Sequence, residues 1–134
     1  MFEKEKIYRR RELHELYGGQ EQGGISTPAA QKLVMIFAGP SGEMYGYKDG
    51  WDGNGEFRFT GEGQVGDMQF VRGNLAIRDH AGNGKELHLF EAIGHGNVRY
   101  VGQMKYVGHD LVPNRPDRQG NPRMAIVFRL APVP

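Results

Sequence analysis

YGYKDGWDGNGEFRFTGEGQVGDMQFVRGNLAIRDH, residues 45–80, holds most of the structural information in this chain. Residues 43–48 read as a strand with Tyr45 and Tyr47 on one face, by the period of two that strands impose. Residues 49–55, DGWDGNG, form a dense turn. Residues 56–60 read as the next strand, with Phe57 and Phe59 together on one face. A second turn, 61–66, comes after it. Residues 74–81 then read as a short helix stopped by Gly82. Short aromatic strands joined by turns of glycine and aspartate specify a sheet of hairpins.

On the N-terminal side, residues 7–17 predict a helix. Ile7, Leu13, Leu16 and Tyr17 share a face, and Gly18-Gly19 supplies the stop. The loop GGQEQGGIS leads to an apolar strand at 32–38. Beyond residue 80, residues 85–93 alternate, with Leu87, Leu89 and Glu91 on one side and His88, Phe90 and Ala92 on the other. Residues 97–107 alternate too, placing Val98, Tyr100, Gly102, Met104 and Tyr106 on one face. Residues 110–122 read as a polar loop and 123–130 as a last strand. About six strands and two short helices make an α+β fold, a curved and mainly antiparallel sheet or open β-barrel. The 21 glycines and 7 prolines are spread along the chain, so they mark turns and not a low-complexity tract.

Composition bounds the function. A chain of 134 residues supports one domain, residues 1–134, with a single adequate core. The ending LAPVP reads as a boundary, so the expected domain is a module of a longer protein. The absence of cysteine excludes disulfides and thiolate metal sites, and a reducing compartment, the bacterial cytoplasm, fits. No apolar run approaches the roughly 20 residues of a membrane span, so no membrane partner is expected. A net charge of +1 and a pI near 8.0 fall short of a domain held to nucleic acid by charge alone. A local basic face remains open to it. Arg9, Arg10 and Arg11 read first as a solvated helix face. Arg10, Arg72, Arg78 and Arg118 are the candidates for phosphate contact.

Catalytic signals are weak. The five histidines lack ligand spacing, so no metal and no cofactor is implied. Gly61 to Gly66 match G-x-G-x-x-G, but residues 67–70 read as extended and no strand–loop–helix unit is present. Ser26 and Ser41 stand in loops with no base beside them. Asp49 and Asp52 could serve a base- or sugar-processing hydrolase, although aspartates in turns ordinarily bond nearby amides. No catalytic residue is therefore assigned. A base-binding reading uses more of the pattern. A planar ring needs an aromatic surface on each side and an acceptor for its amino group. Tyr47 and Phe59 can supply the surfaces. Asp49, two residues after Tyr47, can accept from cytosine N4. Thr60 and Gly61 can close the wall. The plain alternative makes Tyr45, Tyr47, Phe57 and Phe59 core residues of a hairpin.

An ordered series of features carries a resemblance. Gly23-Gly24-Ile25 precedes an apolar strand ending in Ala38-Gly39. Tyr47, Asp49 and Asp52 come next, then Phe59-Thr60-Gly61 with Gly63. Asp67, a Gly73-Asn74-x-Ala76 helix start, Gly84-Lys85-x-Leu87, a strand with Tyr100 and Tyr106, and a strand with Phe128 and Leu130 complete it. Over residues 20–131 the chain resembles the SRA (SET- and RING-associated, YDG) domain family, which reads 5-methylcytosine by base flipping. Its compact form is similar to the modules of bacterial modification-dependent restriction enzymes.

The resemblance implies a duplex-DNA reader of 5-methylcytosine or 5-hydroxymethylcytosine without catalysis of its own. A fused or partner HNH-type nuclease would do any cutting. It implies that Tyr47 and Phe59 sandwich the base and that Asp49 bonds its Watson–Crick edge, with Asp52 as the fallback. Thr60 and Gly61 would line the pocket and Trp51 could cap it. The loop of Gln22, Gly23, Gly24 and Ile25 would approach the minor groove, with Gln22 filling the vacated stack. Residues 61–70 are short and lack Lys and Arg, unlike the long basic loop of eukaryotic members. An RNA-binding module of the related PUA-like architecture is the alternative reading.

Overall fold

A computed structural model describes residues 1–39 and 49–134. The strand expected at 43–48, with Tyr45 and Tyr47, lies outside the described residues, as does Ser41. Among the described residues the order is β1 (Ile7–Arg9), α1 (Arg10–Tyr17), β2 (Ile25–Ser26), β3 (Leu33–Ala38), β4 (Gly50–Trp51) and β5 (Phe57–Thr60). Then come α2 (Arg72–Arg78), β6 (Glu86–Gly94), β7 (Asn97–Pro116) and β8 (Pro122–Pro132). The strands form one sheet in the order β2-β3-β6-β7-β8-β5-β4, with β1 added to β7. It does not close. Every pairing is antiparallel except β3 with β6.

The sheet has two buried faces. All six residues of β3 are buried, as the unbroken apolar run LVMIFA requires. Val34, Ile36 and Ala38 join Leu87, Leu89 and Phe128 in the larger core; Leu33, Met35 and Phe37 join Phe90 and Tyr100 in the smaller, under Leu13 of α1. Phe57 and Phe59 of β5 point into the larger core. Their register opposite Leu130 and Phe128 of β8 fixes that orientation.

β7 departs from the simple alternation. Leu89 faces Gly102 while Phe90 faces Tyr100, so Val101 is an extra residue in the strand. This bulge reverses the parity of the residues beyond it. Val98 and Tyr100 belong to the smaller core, whereas Met104 is in the larger one and Val101 and Tyr106 pack against it. The expected single face of 97–107 is thus two faces, because one strand serves both cores. The expected loop at 110–122 is also mostly strand. β7 runs on to Pro116 because its register with β8 extends from Met104 opposite Pro132 to Pro116 opposite Pro122. None of residues 110–116 is fully buried, and the stretch carries no apolar period. At the N-terminus the expected helix loses its first turn to β1, since residues 7–9 pair with 97–99. The second helix runs from Arg72 to Arg78, earlier at both ends than the expected 74–81.

Candidate functional site

The larger core opens at one end into a cavity of about 400 Å³. That is the size range of pockets that hold a small planar group. Gly24 and Ile25 form one side, Phe37 and Gly39 the end of β3, and Asp49 with residues 59–64 the opposite wall. Met68, Arg118 and Arg123 complete it.

Phe59 is buried at 3% exposure, yet its ring reaches the cavity wall. The ring lies against Gly24: a Cβ at that position would stand 3.2 Å from Phe59 Cζ and 3.3 Å from the Phe37 carbonyl. A glycine there lets the loop descend onto the aromatic edge. The Gly24 carbonyl also accepts the Phe37 N–H at 2.8 Å, which extends the β2–β3 pairing toward the cavity.

Asp49 reaches the wall through β4. Gly50 pairs with Arg58, which brings Asp49 alongside Phe59 and Thr60. The Thr60 N–H donates to Asp49 Oδ1 at 2.8 Å, and the Thr60 hydroxyl bonds the same carboxylate. Burial pushes the Asp49 pKa above the ordinary carboxylate range, and the two Thr60 bonds pull part of the way back. The result is an oriented, poorly hydrated acceptor on a cavity wall.

Asp52 has a different task. Its Oδ1 accepts the N–H groups of Asn54 at 2.8 Å and Glu56 at 3.1 Å. These bonds hold its pKa down and close the turn between β4 and β5. The expected fallback for Asp49 is therefore a turn residue outside the cavity lining. Trp51 also lies outside that lining; it is half exposed and sets its edge against Phe57 at 5.4 Å.

The wall after Thr60 is held by α2. Asn74, 1% exposed, accepts the Glu62 N–H at 2.9 Å. Its amide donates to the Glu62 and Gln69 carbonyls at 2.8 and 2.9 Å. Glu62 Oε1 in turn accepts the Gly73 N–H at 3.0 Å. Asn74 therefore does not cap its own helix. The helix begins earlier at an uncapped Val71, and the Asn74 side chain is freed to tie α2 to the wall. Gly61 must be small here, since a Cβ would meet Asn74 Oδ1 at 2.7 Å.

The loop of residues 20–27 is anchored at its ends. Gln20 Oε1 accepts the Thr27 N–H at 2.7 Å, and the Gln20 amide donates to the Thr27 hydroxyl at 3.0 Å. Arg10 lies over the Phe37 ring at 3.9 Å and donates to the Gln20 carbonyl at 3.3 Å. Gln22 and Gly23 project between these anchors and are exposed. Ile25 points the other way, into the core at 4% exposure, because β2 pairs it with Ile36. Of the candidate phosphate contacts, Arg10 is half-buried against Phe37, and burial lowers its pKa. Arg72 and Arg78 stand on α2 away from the cavity lining; Arg78 pairs with Asp79 at 2.9 Å and covers Phe70. Arg118 is on the cavity rim.

Two residues that brace the rim carried no sequence signal. Arg123, 7% exposed, donates to the carbonyls of Gly63 and Gly66, both at 2.9 Å. Asp117, 2% exposed, accepts from Gly66 N–H at 3.1 Å. Both act across more than 50 residues of sequence, and no local spacing could disclose them.

A family model described as the ScoMcrA-like SRA domain matches residues 4–134. A solved structure of the sulfur binding domain and SRA domain of ScoMcrA complexed with phosphorothioated DNA is similar, at 24% identity and a TM-score of 0.79. The match covers 100% of this chain and 40% of that one, so the present chain spans less than half its length. The SRA domain of SUVH5, in complex with hemi-methylated CG DNA, shares 22% identity and a TM-score of 0.67 over 95% of this chain and 85% of that one. The MspJI restriction endonuclease bound to a 27-mer oligonucleotide shares 21% identity and a TM-score of 0.66, over 86% and 34% of the two chains. No curated protein matches the chain. At these identities the solved structures establish the fold, and the family model establishes the kinship: the chain belongs to the ScoMcrA-like SRA domain family.

Proposed function

We propose that this domain binds duplex DNA and holds a modified cytosine, 5-methylcytosine or 5-hydroxymethylcytosine, turned out of the helix in the cavity beside β5. The observation that carries the reading is the placement of Asp49. A carboxylate oriented by two bonds to Thr60, beside the Phe59 ring on the wall of an open cavity, suits the exocyclic amino group of cytosine. Burying a carboxylate costs stability, so its retention at a cavity wall is what a binding site requires. Phe59 offers an aromatic surface, and Tyr47 is the proposed second one. The projecting Gln22-Gly23 tip, fixed by Gln20 and Thr27, is the proposed element that enters the duplex.

The relatives support a modified-DNA reader, since two of the solved ones, of ScoMcrA and SUVH5, are complexes with phosphorothioated and with hemi-methylated DNA. In this proposal the domain recognises and does not cut; cleavage belongs to a fused or partner nuclease, of HNH type. A binding panel at fixed salt tests the reading. One duplex carries in turn plain, methylated, hydroxymethylated or glucosylated cytosine, N6-methyladenine, or a phosphorothioate linkage, with single-stranded RNA as a further arm. Preference for a 5-modified cytosine is expected. Equal affinity across the panel, or tighter binding of the RNA, contradicts it.

A further inference from the structure

Arg9, Arg10 and Arg11 follow one another at the start of α1, and the middle one behaves unlike its neighbours. Arg9 and Arg11 are exposed, and Arg11 lies 3.9 Å from Glu15 of the same helix. Arg10 is turned inward. Its backbone N–H donates to the Gly96 carbonyl at 2.9 Å, which fixes where the side chain starts. Its guanidinium carbon stands 3.9 Å from the centre of the Phe37 ring. Nε donates to His14 Nε2 at 3.1 Å and Nη2 to the Gln20 carbonyl at 3.3 Å.

His14 sets the direction of this side chain. Its ring is 7% exposed, and its Nε2 is the acceptor for Arg10. The ring proton is therefore on Nδ1, which donates to the Gly18 carbonyl at 2.9 Å. A guanidinium carries its N–H groups in a rigid planar fork, so one group can join three elements. Here they are α1 through His14, β3 through Phe37 and the 20–27 loop through Gln20. Both far ends belong to the proposed site. Phe37 lines the cavity, and Gln20 holds Thr27 at the base of the Gln22-Gly23 tip. A flexible loop that must enter a duplex loses less freedom on binding if it is fixed beforehand.

Resting on the pocket reading above, we infer that Arg10, set by His14, is a positioning residue that ties the Gln22-Gly23 tip to the cavity wall before DNA arrives, and is not a phosphate contact. The two roles separate in Arg10→Ala and Arg10→Lys. Lysine keeps the charge and the apolar stem over Phe37 but cannot bond His14 and Gln20 in fixed directions. Circular dichroism of each variant checks the fold, and lysine alone decides if alanine does not fold. The Thr27 N–H, held by Gln20 Oε1 at 2.7 Å, reports on the loop without DNA. Its hydrogen exchange in the free domain is expected to speed up about tenfold in both variants. Both should also lose about tenfold in affinity for the modified duplex, with plain-DNA affinity and the salt slope unchanged. A slope shallower by about one, an equal loss on both duplexes, or rescue by lysine makes Arg10 a phosphate contact and overturns the inference. Unchanged exchange at Thr27 overturns it too. All of these leave the pocket reading standing. A wild-type domain with no preference for modified over plain cytosine overturns the pocket reading instead, and Thr27 exchange still decides whether Arg10 ties the loop.

Discussion

Asp49 is a residue whose position works against its own ionisation. Its folded pKa lies above that of the unfolded chain, so the folded state holds the proton more tightly. Below the ordinary aspartate range both states are protonated and nothing is lost; as pH rises through the raised folded value, ionisation costs stability. Asp49→Asn should therefore raise the melting temperature at neutral pH, and the gain should vanish in acid. The preference for modified cytosine should move the opposite way, falling as pH drops through that same raised value. Titrations of wild type at several pH values check this through the ratio of affinities, which cancels general effects of charge on DNA binding. Phe59→Leu should keep the core filled at a cost of about 1–1.5 kcal/mol, since bulk is largely preserved. It should nevertheless remove much of the preference, because an aliphatic chain gives no stacking face. Phe59, Thr60 and Asp49 were named together from the sequence, and the β4–β5 hairpin brings them to one cavity wall. Asp117 and Arg123 were not. Each reaches glycine backbone groups on a loop more than 50 residues away, and local spacing does not disclose that contact.

At the scale of elements, one of the register shifts along β7 decides which core its residues face. The long strand β7 carries β1 and β8 on one edge and β6 on the other, and the Val101 bulge lets it face two cores. Deletion of Val101 would restore regular pairing and send Val98 and Tyr100 to the wrong side. Loss of the cooperative thermal transition is the expected outcome; a variant that melts like wild type would show that the bulge is dispensable. The tie between α2 and the cavity wall is a second such element. Asn74→Ala leaves the backbone of Glu62 and the Gln69 carbonyl without their partners. It should destabilise the fold by about 2–3 kcal/mol, read as a shift in the urea midpoint at constant slope. The strands themselves were legible wherever one face is buried, as in β5, or where the run is wholly apolar, as in β3. β1 and β2 were not, because two or three residues are too few to show a period. The extension of β7 was hidden by its polar, proline-containing sequence.

At the scale of the molecule, the chain is an SRA domain of the ScoMcrA-like family, and the proposed reading makes it a reader of modified cytosine. In the proposed reading specific binding draws on the cavity, since a net charge of +1 gives little general attraction to a duplex. Affinity for plain DNA should accordingly be weak and should fall steeply with salt, while the ratio of modified to plain should change little. The ratio is thus the quantity that isolates the cavity from the surface. If Asp49 reads the captured base, a single comparison shows it. Wild type and Asp49→Ala are titrated with two duplexes that differ only in one cytosine, plain or modified. Wild type should prefer the modified duplex. The variant should bind both weakly and equally, at the wild-type level for plain DNA. A variant that keeps the preference, or that loses binding to both duplexes by the same factor, would remove Asp49 from base recognition.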